Sequence, residues 1–158
     1  MPSVDIGQQA PNLTLVSMDR KPVSLAEFKG KNVVLAFFPG AFTGVCIKEM
    51  CAFRDSMSSF NSMNAQVVAV SVDSPFAQKG FADANKLTFP ILSDYNREAV
   101  KTYSIELHDF AGLKGYTAAK RSVFVLDKSG VVRYKWVSDV PTVEPNYAEI
   151  NAALQKLK

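Results

Sequence analysis

Cys46 and Cys51 are the only thiols in the 158-residue sequence, and the first stands where thiol chemistry is favoured. Cys46 closes the stretch Pro39-Gly40-Ala41-Phe42-Thr43-Gly44-Val45-Cys46, which follows the apolar run Val33-Val34-Leu35-Ala36-Phe37-Phe38. The run reads as a strand buried on both faces, and Pro39, which cannot donate to a ladder, ends it. Thr43 fits the N-cap of a following helix. Cys46 then falls at N3, with its N–H in reach of the Thr43 hydroxyl and its thiol where the helix dipole favours negative charge. The chemistry such a position serves is that of a nucleophilic thiolate. The helix alone is too weak to produce one. Lowering a cysteine thiol from about 8.5 to about 6 takes roughly 3.4 kcal/mol, whereas a helix N-terminus supplies about 0.3–1 kcal/mol, or ~2 when partly buried. A reactive Cys46 therefore requires an Arg or Lys from a distant part of the chain. An inert buried thiol fits the same local sequence, and on these residues alone both readings stand.

The elements that must position this stretch can be read along the chain. Leu13 and Leu15 alternate with polar neighbours, Asp19-Arg20-Lys21-Pro22 reads as a turn and Val23-Ser24-Leu25 as a return strand, giving an N-terminal hairpin. The helix from Thr43 is expected to reach about Asn61, with Ile47, Met50, Cys51, Phe53, Met57 and Phe60 on its buried side. Residues 67–72 form a second buried strand, and Ser74 and Pro75 open a helix to about Asn85. Pro90-Ile91-Leu92 is a short strand, and residues 96–103 a short helix. Residues 104–120 show no period and hold the only histidine, His108, which fits a surface loop better than a catalytic base. Residues 121–126 and 131–137 make a hairpin around Asp127-Lys128-Ser129-Gly130. A last helix starts at Asn146, with Glu149 completing a near capping box. Tyr147, Ile150, Leu154 and Leu157 form its apolar face. Strands separated by helices imply an α/β sheet covered on both faces, and the closing hairpin makes that sheet mixed.

Composition narrows the class. The length suits one domain over residues 1–158, and 47% hydrophobic with 21% charged residues is ordinary for a globular protein. A net charge of +3 without a Lys/Arg cluster gives no case for nucleic acid. No window approaches the roughly 18 apolar residues of a membrane span. Met1-Pro2-Ser3-Val4-Asp5 lacks the basic and apolar regions of a signal peptide. Two cysteines are too few for a disulfide framework, so a cytoplasmic protein is expected. No cofactor is implied, and Cys46, Cys51 and His108 lack the spacing of a metal site.

Pro39-x-x-x-Thr43-x-x-Cys46 resembles the active-site motif of the peroxiredoxins, the thiol peroxidases. Gly7-x-x-Ala10-Pro11-x-Leu13-x-Leu15, Phe89-Pro90-Ile91-Leu92-Ser93-Asp94 and Arg121-Ser122-Val123-Phe124-Val125-Leu126-Asp127 are similar to three further segments of that family, in the family's order. The resemblance covers most of the chain, from Gly7 to Trp136. It implies a thioredoxin-like fold, a central mixed β-sheet flanked by helices with an N-terminal β-hairpin extension. By the same resemblance Cys46 is the peroxidatic cysteine, attacking a hydroperoxide to become a sulfenic acid. Thr43 positions the peroxide, Pro39 shields the sulfur from water, and Arg121 supplies the cation. Glu49 matches a polar position that can hold the arginine, and equally fits a solvated first-turn carboxylate.

Cys46-x-x-x-x-Cys51 resembles the Q-type (bacterioferritin-comigratory) branch, in which the second cysteine resolves the first and a thioredoxin-like dithiol recycles the disulfide. An intact helix forbids that bond: five residues turn the side chains about 140° apart over ~7.5 Å of rise, and a disulfide wants converging Cβ vectors. The helix must therefore unwind in each cycle. Gly40-Ala41-Phe42 departs from the Q-type pattern. Phe42-Thr43-Gly44-Val45-Cys46 looks more like the one-cysteine alkyl hydroperoxide reductase E type, in which case Cys51 is a core residue and Phe42 a dimer contact or pocket lining. Either monomer or homodimer is compatible. A thioredoxin-type oxidoreductase is disfavoured by the missing Cys-x-x-Cys. A non-enzymatic binding or holdase protein on the same core is the remaining alternative.

Overall fold

A computed structural model of the protein describes residues 4–157. Met1, Pro2 and Ser3, on which the signal-peptide reading partly rests, and Lys158 lie outside the described residues.

The strands are β1 (Thr14–Ser17), β2 (Pro22–Ser24), β3 (Asn32–Phe37), β4 (Ala65–Ser71), β5 (Ile91–Ser93), β6 (Glu106–Leu107), β7 (Ala118–Ala119), β8 (Ser122–Leu126) and β9 (Val132–Val137). The helices are α1 (Gly44–Asp55), α2 (Met57–Ser62), α3 (Pro75–Asn85), α4 (Glu98–Thr102) and α5 (Tyr147–Lys156). Seven strands form one sheet in the order β2-β1-β5-β4-β3-β8-β9. β3 runs parallel to β4, and β4 to β5, while β8 and β9 add antiparallel neighbours, so the sheet is mixed as expected.

β3 is buried at every position because it lies near the middle of the sheet with both faces covered. Val34, Ala36 and Phe38 pack with Phe53 of α1, Phe60 of α2, Phe81 of α3 and Ile150 of α5 on one side. Val33, Leu35 and Phe37 pack with Val100 of α4 and Tyr103 on the other. Each strand residue thus serves one of two cores according to its parity.

The N-terminal hairpin forms as expected and extends the main sheet: β1 pairs antiparallel with β5, and β2 is the edge strand. Two expectations change. The helix expected to run unbroken to Asn61 divides at Ser56, whose φ of -94° and ψ of 1° depart from helical values. Phe53 and Phe60 bring their ring centroids to 6.2 Å in one core, closer than the about 10.5 Å that seven residues of unbroken helix span along the axis. The segment 104–120 is not irregular throughout, since β6 and β7 pair there as a two-stranded ribbon.

Candidate active site

The site is built where β3 leaves the sheet. Phe38 donates its N–H to Val70 O at 3.0 Å, the last rung beside β4. Pro39, buried, then turns the chain away. Phe42 takes φ +64°, a left-handed conformation that side chains with a Cβ rarely adopt. α1 begins at Gly44, with Thr43 as its N-cap.

The expected cap bond from Thr43 to the Cys46 N–H is not made. The hydroxyl donates to Gly40 O at 2.7 Å, closing the turn behind it, and among the described residues no side chain caps the N-terminus of α1. The first-turn N–H groups are therefore left without a side-chain acceptor, in keeping with a helix end that receives a ligand.

Arg121 reaches this helix end by register. β8 runs antiparallel to β3 with Ser122 opposite Phe37, so the residue just before β8 lies beside the point where β3 ends. Its side chain is 1% exposed, and each guanidinium nitrogen has a partner. Nη2 donates to Cys46 Sγ at 3.0 Å and to Pro141 O at 2.8 Å; Nη1 donates to Glu49 Oε1 at 2.8 Å; Nε donates to Pro141 O at 3.2 Å. Burial works against the guanidinium charge, but Glu49 and the Cys46 sulfur outweigh it and hold Arg121 above its ordinary value. The distant cation required by the sequence argument is in contact with the thiol.

Glu49 is fully buried, one turn along α1 from Cys46, so the solvated alternative is excluded. Among the described residues its Oε2 has no hydrogen-bond partner. Burial pushes its pKa up to about 7, against the opposing pull of Arg121, and Glu144 adds to the rise. Cys46 itself has no exposed surface.

Cys51 lies five positions on in the same intact helix, half-buried, its Sγ 3.9 Å from Asn85 Oδ1 of α3. Both thiols are free. His108 is not part of this cluster; it lies 3.2 Å from Thr117 Oγ1 and 4.0 Å from Glu106 Oε2, beside the β6–β7 ribbon. Phe42 is half exposed, with its ring edge-on to Phe81 at 5.4 Å. Among the described residues no group of three or more His, Cys, Asp or Glu side chains could hold a metal ion, and no helix is long and apolar enough to cross a membrane.

Two groups at the site escaped the sequence reading. The Pro141 carbonyl is a backbone atom in a loop, and no side-chain type announces it. Asp73 accepts from Ala41 N–H at 2.8 Å, tying the turn before α1 to the end of β4. A signal for it existed: an acid just past a buried strand that runs parallel to β3.

Comparison with known proteins agrees with this geometry. The family model described as AhpC/TSA matches residues 6–135. The chain belongs to the AhpC/TSA family. Among curated relatives of this AhpC/TSA protein, the chloroplastic peroxiredoxin Q of Populus jackii is 42% identical over 130 residues, 82% of this chain and 59% of that protein. The chloroplastic peroxiredoxin Q of Sedum lineare is 39% identical over 152 residues, 96% of this chain and 78% of that protein. The crystal structure of a peroxiredoxin-like protein from Aquifex aeolicus superposes with a TM-score of 0.87 at 30% identity, covering 100% of this chain and 90% of that one. The thioredoxin-like peroxiredoxin fold and the likeness to the Q-type branch are thereby established. The chain spans about three-fifths of the length of the first of these relatives.

Proposed function

We propose that the protein is a thiol-dependent peroxidase that reduces hydrogen peroxide and organic hydroperoxides at Cys46. The observation that carries this reading is the buried contact between Arg121 Nη2 and Cys46 Sγ at 3.0 Å. A permanent cation in contact with the sulfur, with the N-terminus of α1 beside it, is the kind of surrounding in which a cysteine serves as a nucleophile.

The Cys46 thiolate attacks the terminal oxygen of the hydroperoxide. A sulfur–oxygen bond forms, the peroxide O–O bond breaks, and the departing alkoxide or hydroxide takes up a proton as alcohol or water. Sulfur is oxidised to sulfenic acid and the peroxide is reduced. Thr43 Oγ1 spends its single proton on Gly40 O, so toward a peroxide it acts as an acceptor for the O–H. Arg121 and the uncapped N–H groups near Val45 and Cys46 stabilise the charge that develops on the leaving oxygen. Pro39 keeps water from the sulfur, and Glu49 with the Pro141 carbonyl fixes the plane of the guanidinium. The sulfur is enclosed, so a peroxide reaches it by a small displacement of side chains at the turn, where Phe42 faces solvent.

Cys51 then attacks the sulfenic sulfur. A disulfide forms, hydroxide leaves as water, and a thioredoxin-like dithiol later reduces the bond. The intact α1 keeps the two thiols on different sides of one helix. Its N-terminal turns must open for this step. The end beyond Cys51 is anchored, with Phe53 buried against Phe60 and Tyr147 and Arg54 Nη1 donating to Asn85 O at 2.7 Å. Such thiol cycling suits a reducing compartment, the cytoplasm for this chain.

The reduced protein should consume hydrogen peroxide with dithiothreitol as reductant, and Cys46→Ser should abolish consumption. Mass analysis after one equivalent of peroxide should show an internal disulfide, replaced by sulfenic acid in Cys51→Ser. Persistent sulfenic acid in the wild type would instead assign a one-cysteine cycle. Insulin reduction without peroxide turnover would assign an oxidoreductase, and inertness in both assays a binding protein.

A further inference from the structure

The turn that presents Cys46 is fastened at one point to a neighbouring loop. β3 and β4 run parallel, Phe37 beside Val70, and diverge past the sheet into the turns that lead to α1 and α3. Asp73, in the second turn, accepts from Ala41 N–H in the first at 2.8 Å. The same oxygen, Oδ2, accepts from Ser71 Oγ at 2.7 Å.

Asp73 is itself held from behind. Ser93 Oγ donates to its backbone carbonyl at 2.6 Å. Buried Gln78 donates through Nε2 to Ser71 Oγ at 2.9 Å and to Leu92 O at 3.0 Å, which fixes the hydroxyl that faces the carboxylate. The end of β4, β5 and the first turns of α3 thus form a hydrogen-bonded mount for one carboxylate oxygen.

The turn it holds is under tension. Phe42, next after Ala41, sits at φ +64° without being glycine, which costs free energy that neighbouring contacts must offset. Within the turn, the Thr43 hydroxyl to Gly40 O supplies one such contact. The Asp73–Ala41 bond supplies one from outside it.

We propose that Asp73 is a positioning residue for the peroxidatic turn: it latches Gly40–Thr43 in the conformation that aligns Thr43 and the start of α1 with an incoming peroxide, and its release accompanies the unwinding that carries Cys46 toward Cys51. This rests on the peroxidase reading above. The latched form favours the first oxidation, and it also favours a second. In that second event the sulfenate attacks another hydroperoxide, becomes a sulfinate, and releases water or alcohol. The released form favours the disulfide.

The test separates the two steps. For reduced protein, the rate of the first oxidation is measured by stopped flow. The fractions of sulfinic acid and disulfide are then measured by mass analysis at a fixed excess of hydrogen peroxide. Asp73→Ala is expected to slow the first oxidation by about tenfold or more, as for loss of a hydrogen bond to a charged acceptor. It should also lower the sulfinic fraction relative to the disulfide. Asp73→Asn keeps an acceptor oxygen toward Ala41 and should recover most of both. Should Asp73→Ala not fold, Ser71→Ala removes one of the two bonds to Oδ2 and should move both readouts the same way, to a lesser degree. An Asp73→Ala protein as fast as the wild type with an unchanged sulfinic fraction overturns the proposal. So does an Asp73→Asn protein as defective as Asp73→Ala. A wild type that does not react with peroxide would instead overturn the peroxidase reading, whatever the variants do.

Discussion

Arg121 Nη2 lies 3.0 Å from Cys46 Sγ, across 75 residues of sequence, and the same guanidinium holds Glu49 and the Pro141 carbonyl. Arg121→Lys keeps the charge but not the planar fork that meets three acceptors at once. Peroxide turnover should fall by about a hundredfold or more, as when one preorganised donor is removed. Arg121→Met leaves Glu49 buried without its cation and should also cost roughly 3–5 kcal/mol of stability. Steady-state kinetics with urea unfolding of both variants checks the pair; equal turnover in wild type and Arg121→Lys would show that the fork has no role.

Glu49 gives a pH signature. Burial raises its pKa from 4.5 to about 7. An acid raised on folding binds its proton more tightly in the native state. Its contribution is full below the unfolded value and is withdrawn as pH rises through the folded one. The stability of the wild type relative to Glu49→Gln should therefore fall between about pH 4 and pH 8, by up to roughly 3 kcal/mol. Urea unfolding of both proteins across this range measures it. A difference that stays flat, or grows with pH, contradicts the account.

How much could be read beforehand follows from what kind of contact each feature uses. The buried β3, the Ser74–Pro75 start of α3 and the Asn146 cap of α5 are local, set by runs and cap residues a few positions apart, and they appear where expected. The need for a distant cation followed from magnitudes, and the motif resemblance supplied Arg121. The sequence could not show the Thr43 hydroxyl turning back to Gly40 rather than forward to Cys46, because both acceptor and donor lie within one turn of it. It also could not show the Pro141 carbonyl, the division of the helix at Ser56, or the pairing of β1 with β5, which depend on packing between remote segments.

The proposed opening of α1 can be tuned at Gly44. The residue is exposed at the first position of α1, and a Cβ there meets nothing within 4 Å. Gly44→Ala should favour the helix by about 0.4–1 kcal/mol. Disulfide formation should slow by about two- to fivefold, with more sulfinic acid per turnover. Rapid-quench mass analysis checks this; faster disulfide formation would mean that α1 does not open from this end.

Phe53 lies in the C-terminal part of α1, beyond the turns proposed to open. It is fully buried, with its ring 6.2 Å from that of Phe60 and 5.7 Å from that of Tyr147. Phe53→Ala should cost roughly 3–5 kcal/mol, read from urea unfolding. A loss below about 1 kcal/mol would be too small for truncation of a buried core ring.

The central claim is that the enclosed sulfur of Cys46, held by Arg121, is the atom a peroxide oxidises. The second-order rate constant of the reduced protein with hydrogen peroxide, measured by competition against a peroxidase of known rate, tests it most directly. The account predicts a value orders of magnitude above that of free cysteine, lost in Cys46→Ser and retained in Cys51→Ser. A wild-type value equal to that of free cysteine, or one unchanged in Cys46→Ser, would contradict it.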